Sequence, residues 1–170
     1  MYKAKIKDLD PYFARYVAQV EQENLFDAFE KSLQQIGRFS EGEIDKRGNE
    51  LFEPGKWTIK QIIQHITDWE RILGYRALLI LREEGMPAQH DQDDLARHGA
   101  AAYKSARLLL NELKAVRFAS MLLFKGLDET SLLKTSRSWQ RNLSVLEVGF
   151  IIVGHQVHHF KVIEEYLSRL

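Results

Sequence analysis

The sequence predicts an all-α fold, a four-helix bundle with long crossover connections, and three observations carry that expectation. Long stretches repeat apolar residues with the 3.6-residue period of a helix rather than the alternation of a strand. Proline occurs only at positions 11, 54 and 87, so most of the chain is free of helix breakers. Two polar, glycine-containing stretches, 39–56 and 127–143, are too long for tight hairpins and suit crossovers in a bundle that is not simply up-down-up-down.

The elements follow in chain order. Asp10 before Pro11 reads as an N-cap with proline at the first helical position, opening a helical region that runs to about Gly37. A second helix is expected from about 59 to 84, a third from about 94 to 125 and a fourth from about 145 to 169. Thr58 with Gln61, and Ser144 with Glu147, each match the capping box, in which cap and third helical residue satisfy each other's unpaired amides. The apolar pairs Trp57 with Ile62 and Leu143 with Val148 bracket these caps as hydrophobic staples. A short extended piece within 127–143 is compatible with the same pattern.

At 170 residues the chain is expected to form one domain spanning 1–170 and to bury a core without covalent staples. Lysine plus arginine and aspartate plus glutamate both number 24, which leaves no net field to attract nucleic acid or an anionic membrane. The absence of cysteine excludes disulfides, thiolate metal sites and a cysteine nucleophile, so any metal must use nitrogen and oxygen donors. The first residues lack the apolar core of a signal peptide, and no segment approaches the ~18 apolar residues of a membrane span; a cytoplasmic protein is expected.

The candidate chemistry lies in histidines. On a helical wheel centred on His155, the residues Val148, Ile151, Ile152, Val162, Ile163, Tyr166 and Leu170 fall within about 80°, and His159 falls at about 40°. Both imidazoles thus occupy the middle of an apolar stripe, where each ring's donor and acceptor must be paired once water is excluded. On the second helix Ile62, Ile66, Trp69, Leu73, Ala77 and Ile80 share one arc, with His65 at its edge, about 60° from Ile62. Histidines at i and i+4 with a third from a facing helix supply three ligands to a four- to six-coordinate ion and leave positions open to water. Each could equally be a core histidine bonded to a carbonyl or carboxylate, and spacing alone leaves both readings open.

The other candidates carry less. His158 lies at the stripe edge, as a rim or solvent-facing residue; His90 and His98 fall in or near a loop; Asp91-Gln92-Asp93-Asp94 reads as the cap and first turn of the third helix. Asp68 and Glu70 are expected in ordinary surface or supporting pairings. Arg76, about three turns beyond His65, could hold an anionic substrate group, or snorkel, or pair with an acid. Helix four is apolar almost all round at Phe150, Ile151, Ile152, Val153, Val157 and Phe160, which predicts burial on more than one side and a two-fold homodimer.

Pro54-Gly55-Lys56-Trp57-Thr58, then Gln64-His65-Ile66-Thr67-Asp68, Glu70-Arg71 and Tyr75-Arg76, resemble the second helix of the DinB-like, YfiT-type proteins. His90-Asp91-Gln92-Asp93 is similar to that family's short acidic loop, and Gly154-His155-Gln156-Val157-His158-His159 to its last-helix motif. The resemblance covers the chain from about residue 22 onward. It implies a four-helix bundle in which His65, His155 and His159 hold a divalent transition metal, nickel or zinc, often in a homodimer. It further implies a metal-dependent hydrolase or a transferase of low-molecular-weight thiols acting on a small molecule. The alternative is a non-catalytic, stress-associated metal-binding bundle whose ion is closed off by protein ligands.

Overall fold

A computed structural model describes residues 1–85, 90–138 and 141–169; Pro87, and Leu170 of the helix-four arc, lie outside the described residues. The described helices are α1 (Pro11–Val17), α2 (Leu25–Gln35), α3 (Glu41–Arg47), α4 (Ile59–Arg82), α5 (Gln92–His98), α6 (Ala106–Phe124), α7 (Glu129–Leu133) and α8 (Val145–Ser168), with strands β1 (Thr135–Ser138) and β2 (Arg141–Ser144). Four of them, α2, α4, α6 and α8, form the bundle. α4 packs on α6 and α8, and α2 packs on the same two, so α2 faces α4 and α6 faces α8 across the diagonals. Both long connections therefore cross a diagonal, which a short loop could not do.

The caps act as the pattern requires. Thr58 Oγ1 accepts from Gln61 N at 3.2 Å while Gln61 Oε1 accepts from Thr58 N at 2.9 Å. Ser144 and Glu147 repeat the exchange at 3.2 and 2.6 Å. The β1–β2 hairpin pairs Thr135 with Ser144, so β2 leads straight into the N-cap of α8 and fixes where that helix begins.

Two expected helices are interrupted, and one expected connection contains a helix. The first helical region breaks after Val17 and restarts at Leu25, capped by Asn24. The cause is tertiary: Lys3 N donates to Glu23 O at 2.7 Å and Leu25 N to Met1 O at 3.0 Å, drawing residues 23–25 into an extended bridge with the N-terminus. The third region divides into α5 and α6, because Ala100 adopts a left-handed φ of 51° and Ser105 caps a new start. The 39–56 crossover contains α3, held against α4 by Lys60 N donating to Gly48 O at 3.0 Å.

Apolar packing forms two clusters. One holds Leu25, Phe29, Leu73, Phe124, Val148 and Ile152; the other holds Ile36, Ile63, Leu110, Leu113, Phe160 and Ile163. Near the boundary between them each bundle helix contributes buried polar residues, including Ser32, His65, Glu70, Arg117, His155 and Gln156. α1 lies along α8 as an added layer and approaches it most closely at Gly154, where a Cβ would stand 2.1 Å from Tyr16 O.

That added layer corrects the basis of the homodimer expectation. Phe150 and Phe160 are both 0 % exposed within the one chain, so α8 is apolar all round because α1, α2, α4 and α7 cover it, and not because a second copy does. Among the described residues, no helix is long and apolar enough to cross a membrane.

Candidate metal centre

The capped starts of α4 and α8 set the axial positions of their histidines, and the α4–α8 contact brings them together. His65 Nε2 lies 3.1 Å from His155 Nε2, and His159 Nε2 lies 3.1 Å from the same atom. Ligand atoms of the three all fall within 4.8 Å of one another, making this the one cluster of histidine and acidic side chains with metal-holding geometry among the described residues. His65 and His155 are buried, at 2 % and 4 % exposure, and His159 is half-buried.

Aromatic faces hold the rings in place. Trp57 packs on His65 at 4.4 Å and reaches His159 at 6.2 Å between centroids, Trp69 stacks on His65 at 6.0 Å, and Tyr16 meets His155 edge-on at 5.3 Å. Among the described residues, no carboxylate or carbonyl bonds to the second nitrogen of any of the three rings.

Burial pushes the His65 imidazole down to about 4. It also holds His155 and His159 well below the ordinary histidine value, with the neighbouring imidazoles adding to the effect. All three rings are therefore neutral near pH 7, the form that offers a lone pair to a cation. Two nitrogens each about 2.0–2.1 Å from one ion stand roughly 2.8–3.4 Å apart for coordination angles of 90–109°. The two separations of 3.1 Å fall inside that range, so both of these donor pairs fit a divalent transition ion, and the remaining nitrogen pair lies within 4.8 Å. Neutral imidazoles can also share a proton at this distance, which is the core-histidine reading in structural form.

A cavity of about 520 Å³ opens on this cluster, lined by Trp57, His158, His159, Val162 and Tyr166 together with Glu53, Lys56, Asp93 and Glu165. His158 occupies its rim: Nδ1 stands 3.3 Å from Gln19 Nε2, and the ring packs against Tyr16 and His159. His90 and His98 are exposed, and Asp91 caps α5 by accepting from Asp93 N and Asp94 N at 2.8 and 3.0 Å.

Asp68, Glu70 and Arg76, the remaining candidates, all lie on α4 with His65. Asp68 accepts from Gln64 Nε2 at 2.8 Å and Arg71 Nη1 at 3.3 Å, and burial raises its carboxyl. Glu70, expected in a surface or supporting pair, is instead 2 % exposed and receives both Nε and Nη2 of Arg117, at 2.8 and 2.9 Å. Arg76 is buried, with its guanidinium 5.9 Å from the Trp69 ring, and does not line the cavity beside His159. Burial lowers its pKa to about 10.

Sequence reasoning gave no site role to Tyr16, and it placed Lys56 only in the motif before the second helix, Asp93 only in the acidic loop and first helical turn, and Trp57 only in that motif and as a staple. Trp57 was the most accessible of these, since it directly precedes the cap of a histidine-bearing helix. Tyr16 had no local signal, because it arrives through the close crossing at Gly154.

The signature described as the DinB superfamily matches residues 13–163. Among solved structures the chain is similar to YfiT from Bacillus subtilis, described as "a probable metal-dependent hydrolase with an unusual four-helix bundle topology". The TM-score is 0.71, at 16 % identity, over 97 % of this chain and 92 % of that one. At that identity the likeness speaks for the fold. No curated protein sequence matches.

Proposed function

The chain belongs to the DinB superfamily, and on that premise we propose that it is a divalent-metal-dependent enzyme acting on a small molecule, with His65, His155 and His159 as the metal ligands. The observation that carries this reading is the meeting of three neutral imidazole nitrogens with two separations of 3.1 Å in the protein interior. An ion so held supplies Lewis acidity, favouring ionisation of a water or thiol and polarising an electrophile at neutral pH. Nitrogen-only donors suit zinc and nickel.

The chain's own residues define the rest. Trp57, Trp69 and Tyr16 fix the ring planes, so the nitrogens stay aimed at one point. Half-buried His159 faces a cavity large enough for a small substrate, which supports an open coordination position and weighs against a closed, purely structural ion. The reaction is hydrolysis, as the description of the similar structure suggests for that protein, or S-transfer from a low-molecular-weight thiol. A homodimer of this chain would not be needed to cover Phe150 and Phe160, and light scattering tests for one.

The test is turnover of ester, amide and thiol-acceptor substrates by protein stripped of metal and then reloaded with zinc or nickel. Activity that appears on reloading and is absent from His155→Ala is the expected result. Activity that ignores both overturns the enzyme reading.

A further inference from the structure

The cavity beside His159 carries an unusual balance of charge. Of its acidic lining residues, Glu53 receives Arg169 Nη1 at 2.8 Å and Glu165 receives Arg169 Nη2, so one guanidinium compensates both. Among the described residues, Lys56 and Asp93 form no ion pair, and both line this cavity with opposite charges.

Both sit on shaped backbone. Lys56 follows Gly55, whose φ of +75° makes the turn that Lys56 N closes on Glu53 O at 3.2 Å. Asp93 lies in the first turn of α5, which buries Ala96 and seats Gly99 against α4, where a Cβ would lie 3.1 Å from Gln64 Cγ. Ile62 and Val162 add apolar lining, and the Tyr166 ring is braced by stacking on Phe52 at 4.7 Å. A ligand in this cavity meets an ammonium, a carboxylate and aromatic rings, with His159 of the cluster in its lining.

We propose that the cavity selects an amphoteric small molecule, one with both an anionic and a cationic group, with Lys56 pairing with the anion and Asp93 with the cation while the reacting group faces His159. This rests on the metal reading for the reacting end and goes beyond it in naming the class of molecule. A pair of opposite charges discriminates by sign: a ligand with only one charge leaves either Lys56 or Asp93 facing a group that offers it nothing.

Cobalt-loaded protein supplies the test, because a thiol that gives its proton to the buffer and binds the ion produces a sulfur-to-cobalt absorption band. The probes are 2-mercaptoethanol (neutral), 3-mercaptopropionate (anionic), cysteamine (cationic) and cysteinylglycine (both charges). Cysteinylglycine is expected to bind tightest. Lys56→Ala should weaken cysteinylglycine and 3-mercaptopropionate by about two- to fivefold and leave cysteamine unchanged, the range of solvent-facing ion pairs. Asp93→Asn should weaken cysteinylglycine and cysteamine and leave 3-mercaptopropionate unchanged. Equal affinity for all four thiols, unmoved by either variant, overturns the proposal and leaves the metal reading intact. Failure to take up cobalt sinks the metal reading instead. The charge pair is then read by calorimetry with glycylglycine on the metal-free protein and the same variants, where binding that is absent or unmoved by substitution overturns the proposal by itself.

Discussion

Two groups of buried polar side chains share the middle of the bundle, and they differ in completeness. Ser32, Glu70, Arg117 and Gln156 come one each from α2, α4, α6 and α8. Arg117 gives two hydrogen bonds to Glu70 and a third to Ser32 Oγ, while Gln156 Nε2 donates to Ser32 O at 2.8 Å. Charge balances within that group, and nearly every polar atom has a partner; the exception among the described residues is Gln156 Oε1. The histidine cluster, from α4 and α8 alone, presents three neutral rings that crowd their nitrogens together without a cation or a carboxylate. The first group balances its charge within the protein, whereas the second offers three neutral donors to one point, the difference on which the proposed metal site rests.

The largest effects should separate the two groups by kind. Replacing His155 or His159 with alanine removes a ligand and should lower metal affinity by more than the roughly 10–100-fold that loss of an outer-sphere partner costs. Titration with a chelator would measure it, and retained affinity would place those rings in the core-histidine class. Replacing Arg117 with methionine strands the Glu70 carboxylate and should cost about 3–5 kcal/mol of unfolding free energy in urea. Metal stoichiometry of the remaining folded protein should not change; a loss there would mean that the two groups act as one.

Acidification should sharpen the contrast. The imidazole of His65 titrates near 4 in the folded chain against about 6.5 in the unfolded one, and His155 and His159 are shifted the same way. The unfolded state then binds more protons at mildly acid pH. Stability of the metal-free protein is unaffected above about pH 6.5 and falls as pH drops through the window towards 4, by on the order of 3 kcal/mol for His65 alone. Urea midpoints across pH 7 to 4 would show it, and His65→Gln should flatten the slope. A slope unchanged in that variant would exclude His65 as its source.

Smaller changes probe the supporting layer. Gly154→Ala sets a methyl group against Tyr16 O, forcing α1 away from His155 at a cost of about 1–3 kcal/mol. Metal affinity should fall in step if Tyr16 positions the ring, and unchanged affinity would reduce α1 to a cover. His158→Ala, at the cavity rim, should disturb metal binding least.

Much of this arrangement was legible in the residues. Caps at Thr58 and Ser144, the helical period and the i, i+4 histidines are local signals, and local signals survive folding. The break between α1 and α2 was not legible, because it arises from backbone bonds to Met1 and Lys3 that no local pattern encodes. Glu70 read as peripheral for a related reason: its burial depends on Arg117, which lies 47 residues away on a different helix. The apolar circumference of α8 was read correctly as buried, but its cover was misassigned, since sequence cannot distinguish a further helix of the same chain from a second copy.

The central claim is that the histidine cluster, unlike its charge-balanced neighbour, is completed by an ion. Metal content of protein purified without an affinity tag, measured by mass spectrometry beside His155→Ala and Arg117→Met, tests it most directly. The account predicts one divalent ion per chain in the unaltered protein and in folded Arg117→Met, and a sharp loss in His155→Ala. Equal metal content in all three, or none in the unaltered protein after incubation with zinc or nickel, would contradict it.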